Sequence, residues 1–345
     1  MIIQTQPNLF AYATSELSQD AFICWLAEWA DPKWKHVDPI LHQTGQAFVA
    51  DMIHKVHATF NPSTIETVNV KPQFEKLDIL IEINKNKADK LAILVEDKTH
   101  TSNHSGQLDR YYKIVQEAGY GVSQMVPLYF KTGYQSRFDT IGKFKTYLRH
   151  DFLAVLQRGK QQGVANAIYD DFLAHLQKVD FLIKQFSIRP VDKWEYHDWV
   201  GFFTVLYDQR STLSSSSEDD GANWGYVANP SGGFVGYWWY FKPQSNKTYM
   251  PYLQLEQNIL CFKIEVTDPA NQKTAQDEAN RLILQAARQL GLSGVERPKY
   301  MRTGRAMTVA YWKEYMVLSG DNLDSESTIE NLIKAQVILD TAFPS

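Results

Sequence analysis

The spacing of apolar residues in the first half of the chain changes from a helical period to a strand period. Leu17, Phe22 and Leu26 belong to a set repeated every three or four residues, which is typical of a helix. After residue 63, apolar and polar residues alternate, which predicts strands. The predicted elements, in chain order, are helices over 15–30 and 41–58, strands over 64–74, 77–83 and 91–96, a helix over 104–118 and a strand over 125–131.

The second half of the chain has its own set of elements. Residues 138–187 are predicted to be mostly helical, and Arg189-Pro190 marks a boundary between a domain over 1–190 and a smaller α+β domain over 191–345. Serines and acids crowd the segment 211–221, which predicts a mobile loop. The predicted elements beyond 191 are a helix over 193–209, strands over 224–228, 233–242, 252–256 and 259–266, and helices over 275–290 and 325–342.

Composition limits the class of protein. The 345 residues are 44% hydrophobic, enough for a sizeable core in a mixed α/β protein. The net charge of −4 excludes a uniformly basic DNA coat but allows a local basic patch. Cys24 and Cys261 are the only cysteines, so a disulfide framework and a cysteine-rich zinc module are excluded. A signal peptide and a membrane-spanning apolar run are absent from the sequence, so a cytoplasmic protein is expected.

The hairpin formed by the strands over 77–83 and 91–96 carries the candidate chemistry. Glu96 and Lys98 point to the same side of an extended strand. If the turn is centred near Lys87, Asp78 lies opposite Glu96, with Cβ atoms about 5 Å apart. Two adjacent carboxylates repel each other unless a cation lies between them, and hard oxygen ligands favour Mg²⁺ or Mn²⁺. The pattern therefore predicts a metal site at the end of this hairpin.

Asp78 followed by Glu96-Asp97-Lys98 resembles the active site of the PD-(D/E)XK nuclease superfamily. The order of helix, three strands, helix and strand resembles its restriction-endonuclease-like αβββαβ core, here over roughly residues 8–185. Gln107, at the start of the segment 107–111, resembles the Gln-x-x-x-Tyr motif of the RecB-like branch. One departure is Leu77, which stands where the eponymous proline would be.

The segment 8–22 is similar to the start of an uncharacterised bacterial branch of this superfamily, in which a glutamate of the first helix, here Glu16, often joins the metal site. The motif Asp/Glu-x-Lys alone is a weak signal, because it occurs twice in the chain, at residues 31–33 and at 96–98. Its sequence context decides between the two matches. Only the second match ends a predicted strand, follows an upstream Asp and precedes a helix with a Gln. The second match is therefore the stronger candidate.

The resemblance implies a nuclease that uses Mg²⁺ or Mn²⁺ to hydrolyse phosphodiester bonds, with DNA as the expected substrate. Asp78 and Glu96 would hold the metal, with Glu16 and the backbone carbonyl of Asp97 as further ligands. Lys98 would orient the attacking water or stabilise the phosphate, and Gln107 would position the substrate or the lysine. A homodimer is expected if one site per chain cuts both strands. A role in defence against foreign DNA or in DNA processing is consistent with this resemblance.

Several basic and aromatic residues are candidate contacts to nucleic acid, and each also has a structural interpretation. The candidates are Lys131, Arg110, Tyr111 and His104. Helix packing explains Tyr111 equally well. The segment 130–149 carries five basic residues against one acid, interleaved with aromatics. It could contact phosphates and bases, or it could form an amphipathic helix with a basic solvent face.

Two other classes of function stay open. One is a catalytically silent protein that binds nucleic acid with the nuclease fold. The other is a ligand-sensing or protein-interaction module whose active surface is the aromatic sheet over 224–266. The run 236–241 within this sheet is a candidate ligand platform, although a buried sheet face is the commoner role for such a run. Phosphate-loop, dinucleotide, zincin and serine-hydrolase motifs are absent from the sequence.

Overall fold

The computed structural model describes residues 7–99, 106–213, 221–229, 232–243 and 248–344. The chain divides into two compact units, Met1–Phe181 and Leu182–Ser345. The expected boundary at residue 190 lies further along the chain than this division. Both units combine helices with strands, which confirms a mixed α/β protein. Within the described residues, no helix combines the length and the apolar character needed to span a membrane.

A five-stranded mixed sheet forms the centre of the first unit. Its strands are β1 (Val68–Phe74), β2 (Leu77–Ile83), β3 (Leu91–Lys98), β4 (Met125–Lys131) and β5 (Lys145–Leu148). The helices of this unit are α1 (Glu16–Glu28), α2 (Pro39–His54), α3 (Gln107–Glu117), α4 (Arg149–Gln161) and α5 (Ala167–Leu182). The strands lie in chain order, with β1, β2 and β3 antiparallel and β4 and β5 continuing parallel to β3. The carboxyl ends of β3 and β4 therefore meet the start of β2 at one edge.

Both faces of this sheet are covered by helices, as expected for strands that are apolar on both sides. Ile81 and Val95 belong to one buried cluster with residues of α1, α2, α4 and α5. Leu80 and Leu94 belong to a second buried cluster with residues of α3. Burying each such side chain contributes about 1.5–3 kcal/mol. The polar residues at the ends of β2 and β3 are therefore held by strands that are packed on both faces of the sheet.

Residues 138–187 were predicted to be mostly helical, and this prediction is wrong at β5. Residues 145–148 form a short strand parallel to β4. Tyr147 is buried, its ring stacks on Phe130 with ring centroids 4.8 Å apart, and its hydroxyl donates to Asp51 Oδ2 at 2.8 Å. These contacts come from distant parts of the chain, so they override the local helical tendency. The interpretation of 130–149 as one amphipathic helix is wrong for the same reason.

The second unit contains a six-stranded antiparallel sheet and a two-stranded sheet. The strands are β6 (Asn223–Val227), β7 (Phe234–Trp239), β8 (Met250–Glu256), β9 (Ile259–Glu265), β10 (Val295–Glu296), β11 (Ala306–Trp312), β12 (Val317–Ser319) and β13 (Asn322–Asp324). The helices are α6 (Tyr196–Asp208), α7 (Arg210–Leu213), α8 (Gln272–Gln289) and α9 (Ser325–Ala342). The large sheet has the order β10-β11-β9-β8-β7-β6.

The aromatic run on β7 follows the alternation of a strand. Tyr237 and Trp239 are fully buried, whereas Trp238 is half-buried. The buried positions confirm the core interpretation for this half of the run. The expected mobile loop over 211–221 is helical at its start, where α7 lies, and its serine-rich part over 214–220 lies outside the described residues.

Candidate functional site

The register of the β2–β3 hairpin sets the geometry of the site. Ile79 pairs with Val95 and Leu80 pairs with Leu94. Continuing this register by one pair sets Asp78 opposite Glu96, which confirms the register predicted from the turn. The backbone N–H of Asp97 donates to Asp78 Oδ2 at 2.9 Å, so the two strand ends are joined by the Asp78 side chain.

Lys98 lies between the two carboxylates. Its Nζ is 2.8 Å from Glu96 Oε1 and 3.5 Å from Asp78 Oδ2, and it also donates to the backbone carbonyl of Asp97 at 2.9 Å. Glu96 is 0% exposed and Lys98 is 8% exposed. A surface salt bridge of solvated side chains is therefore the wrong description of this cluster, because two of its three members are buried.

Burial controls the protonation of this cluster. Burial and then the negative charge of Asp78 raise the pKa of Glu96 to about 7. Burial also acts to lower the pKa of Lys98, but the hydrogen bond and charge of Glu96, with the charge of Asp78, hold it above its usual range. Lys98 is therefore an ammonium group throughout the neutral range, whereas Glu96 is easily neutralised.

Helix α3 brings Gln107 to the same side of the sheet. Its Nε2 donates to Glu96 Oε1 at 2.8 Å and to the hydroxyl of Tyr111 at 2.9 Å. Gly106 precedes the helix with φ +73°, a conformation that glycine adopts at little cost. Tyr111 is buried in the α3 cluster, in agreement with its packing interpretation. Arg110 is exposed and lies over the Tyr111 ring, 5.3 Å from its centroid.

Helix α1 contributes a polar face that the sequence analysis recognised only in part. Glu16 Oε1 accepts a 3.0 Å hydrogen bond from the backbone N–H of Thr99, so this glutamate lies at the end of β3 as expected. Gln19 and Asp20 lie on the same face and are buried, but they were missed. Their helical spacing from Glu16, at three and four residues, was the available signal.

The side chain of Asp97 points away from Glu96, toward α1. Gln19 Nε2 donates to Asp97 Oδ1 at 2.5 Å, and the Asp97 carboxyl interacts with that of Asp20. Burial and the charge of Asp20 raise the pKa of Asp97 well above its usual range, and burial with the charge of Asp78 raises the pKa of Asp20 to about 7. The pair therefore holds at least one proton at neutral pH. The carbonyl of Asp97, an expected metal ligand, accepts from Lys98 in this structure.

Lys131 ends β4 directly beside Lys98 in the parallel register. It is only 2% exposed, and this burial lowers its pKa to about 8 despite the charges of Glu16 and Asp97. Lys131 is thus part of the buried site rather than of an exposed basic surface. His104, another candidate contact, lies outside the described residues.

Asp78 and Glu96 are the carboxylates that the site offers to a divalent ion. Over the described ranges of the chain, no group of three or more His, Cys, Asp or Glu side chains is arranged to hold a metal. Mg²⁺ in proteins is commonly held by one or two carboxylates, with water or substrate phosphate as the other ligands. Asp78 and Glu96 supply two carboxylates, and buried Glu96 Oε2 has no hydrogen-bond donor among the described residues. This hard-oxygen pair fits the chemistry of Mg²⁺ or Mn²⁺.

Comparison with known proteins adds no relative to this description. No protein-family model, curated protein or solved structure matches the chain.

Proposed function

We propose that this chain is a divalent-metal-dependent nuclease that hydrolyses phosphodiester bonds in DNA. The observation that carries the proposal is the hairpin end, where the Nζ of buried Lys98 lies 2.8 Å from Oε1 of buried Glu96 and 3.5 Å from Oδ2 of Asp78. Burying like charges is costly, so the cluster is hard to explain by stability alone. Gln107 on Glu96 and the αβββαβ order of the first unit add support, since both resemble features of PD-(D/E)XK nucleases.

The roles of the residues follow from their charges and contacts. Asp78 and Glu96 would hold Mg²⁺ or Mn²⁺, with Glu16 at the same end of β3. The bound ion would lower the pKa of a water ligand and neutralise negative charge on the phosphate. Lys98 remains protonated, so it stabilises the phosphate or orients the attacking water and does not remove a proton. Gln107 fixes the orientation of the Glu96 carboxylate.

A cleavage assay tests the proposal directly. Purified protein would be incubated with supercoiled plasmid and with linear single-stranded DNA, in Mg²⁺, in Mn²⁺ and in EDTA. Glu96→Ala is the test variant, and Glu117→Ala, an exposed glutamate at the end of α3, is the matched control. Cutting that needs metal, survives in Glu117→Ala and is lost in Glu96→Ala is expected.

Two results would count against the proposed nuclease or against its proposed active site. A normally active Glu96→Ala protein would remove Glu96 from the mechanism. DNA binding that falls steeply with salt, without cutting in any metal, would favour a catalytically silent nucleic-acid-binding protein. A homodimer, expected if both strands are cut, would be measured by sedimentation on the same preparations.

A further inference from the structure

The backbone of Asp97, at the end of β3, contacts Asp78 and Lys98, and its side chain contacts α1 on the other face of the sheet. Its backbone N–H donates to Asp78 Oδ2 at 2.9 Å, and its backbone carbonyl accepts from Lys98 Nζ at 2.9 Å. The orientation of this one residue's backbone therefore sets the positions of a carboxylate and of an ammonium group in the site. Its side chain points to the opposite face of the sheet, where α1 packs.

Gln19 of α1 fixes that side chain. The Gln19 amide donates to Asp97 Oδ1 at 2.5 Å, and the Thr132 hydroxyl donates to Gln19 Oε1 at 2.5 Å. All three side chains are buried, so neither water nor another rotamer replaces these hydrogen bonds cheaply. Thr132 directly follows β4, and its carbonyl accepts from Arg149 Nη1 at 2.6 Å. The ends of β3 and β4 are thus joined through Gln19.

We propose that Gln19 and Asp97 are positioning residues, which hold Asp78 and Lys98 in reactive geometry from the far face of the sheet. This inference rests on the proposed nuclease function for its kinetic consequence, but its structural content is independent of that function. Among the described residues, Gln19 makes no hydrogen bond to Asp78 or Lys98. It acts through the backbone of Asp97, because a shift of this residue would displace both its N–H and its carbonyl from their partners.

The variants separate positioning from charge. Gln19→Leu removes both hydrogen bonds at similar volume, and Thr132→Val removes only one of them while keeping the side-chain shape. Asp97→Ala removes the anchor of the strand end. Asp97→Asn keeps an oxygen that accepts from Gln19 and adds an N–H that can donate to Asp20, so it is the conservative control. Crystal structures, Mn²⁺ affinity and cleavage kinetics would be measured for each variant that folds.

In Gln19→Leu and Asp97→Ala we expect the Asp97 N to Asp78 Oδ2 and Lys98 Nζ to Asp97 O distances to lengthen. The value of kcat should fall about tenfold to a hundredfold, because small displacements of reacting groups have effects of this size. KM should change by no more than about twofold, since substrate contacts are retained. Thr132→Val should show a smaller loss of the same kind, and Asp97→Asn should match the wild type.

Unchanged distances in Gln19→Leu would overturn the inference, and so would an Asp97→Asn protein as impaired as Asp97→Ala. If Gln19→Leu does not fold, Thr132→Val with unchanged distances and full activity would overturn it. If the wild-type protein cuts no DNA, the nuclease proposal is refuted, but the positioning role of Gln19 is not. In that case the distances and the Mn²⁺ affinities of the variants still decide whether Gln19 positions the strand end.

Discussion

Gln107 and Lys98 share one oxygen of Glu96. The amide of Gln107 and the ammonium of Lys98 both lie 2.8 Å from Oε1, whereas Oε2 of the same carboxylate has no donor among the described residues. One oxygen thus orients the carboxylate, and the other is buried without a hydrogen-bond donor from the described part of the chain. Under the proposed function, Oε2 is the Glu96 oxygen that would bind the metal.

Replacement of Gln107 by leucine should weaken metal binding. In Gln107→Leu the Glu96 carboxylate loses one of the two groups that orient its Oε1, so Mn²⁺ affinity is expected to fall about tenfold. Cleavage should fall by a similar factor. Isothermal titration of Mn²⁺ would measure the change, with Gln116→Leu on an exposed position of α3 as the matched control. Equal Mn²⁺ affinities in the two variants would contradict the orienting role.

Replacement of Glu96 by glutamine should stabilise the metal-free protein at alkaline pH. The pKa of Glu96 is raised from 4.5 to about 7, so the folded protein binds more protons than the unfolded chain between these values. The free energy of unfolding therefore falls as pH rises through this window and stays low above it. Glu96→Gln removes this loss, and a gain of up to about 3 kcal/mol is expected at pH 8.

Urea unfolding in EDTA would test this stability effect. The advantage of Glu96→Gln should be present at pH 8, shrink as pH falls, and disappear below about pH 4.5, where the wild-type carboxyl is protonated in both the folded and the unfolded state. A variant that is less stable than the wild type at pH 8 would show instead that the ion pair with Lys98 outweighs the cost of burying Glu96.

Metal affinity should follow the same titration with the opposite sign. A proton on Glu96 competes with the ion, so Mn²⁺ affinity should rise by up to about tenfold per pH unit below 7 and level off above it. Electron paramagnetic resonance of free Mn²⁺ would follow this change. An affinity that stays constant between pH 5.5 and 7.5 would exclude Glu96 as a ligand that must lose a proton.

The sequence predicted the β2–β3 hairpin because its signals are local. The segments 77–83 and 91–96 are rich in aliphatic residues and are separated by a polar turn, which predicts two strands. A turn centred near Lys87 predicts the register that the hairpin has. The bounds of β2 and β4 agree with the predicted ones. In contrast, β5 has four residues and depends on packing of Tyr147 against Phe130, which no local pattern encodes.

The polar face of α1 shows a second limit of sequence reasoning. A polar residue on a helix is normally assigned to solvent, so Gln19 and Asp20 read as exposed positions. In the structure Gln19 is hydrogen-bonded to Asp97 and Thr132, and Asp20 interacts with the Asp97 carboxyl, so these buried groups meet partners that lie far away in sequence. Lys131 is similar, since its place at a strand end was predictable but its burial depends on tertiary packing.

Lys98 offers a sharp test because the chain contains its own control. In Lys98→Gln the fixed positive charge beside the phosphate is lost, so cleavage should fall by at least about a hundredfold. Lys33 belongs to the other Asp/Glu-x-Lys match. It is exposed, and its Nζ lies 3.4 Å from Oε1 of Glu28, which is also exposed. Lys33→Gln should therefore cut DNA at the wild-type rate. Equal impairment of the two variants would indicate a general charge effect and would remove Lys98 from the proposed mechanism.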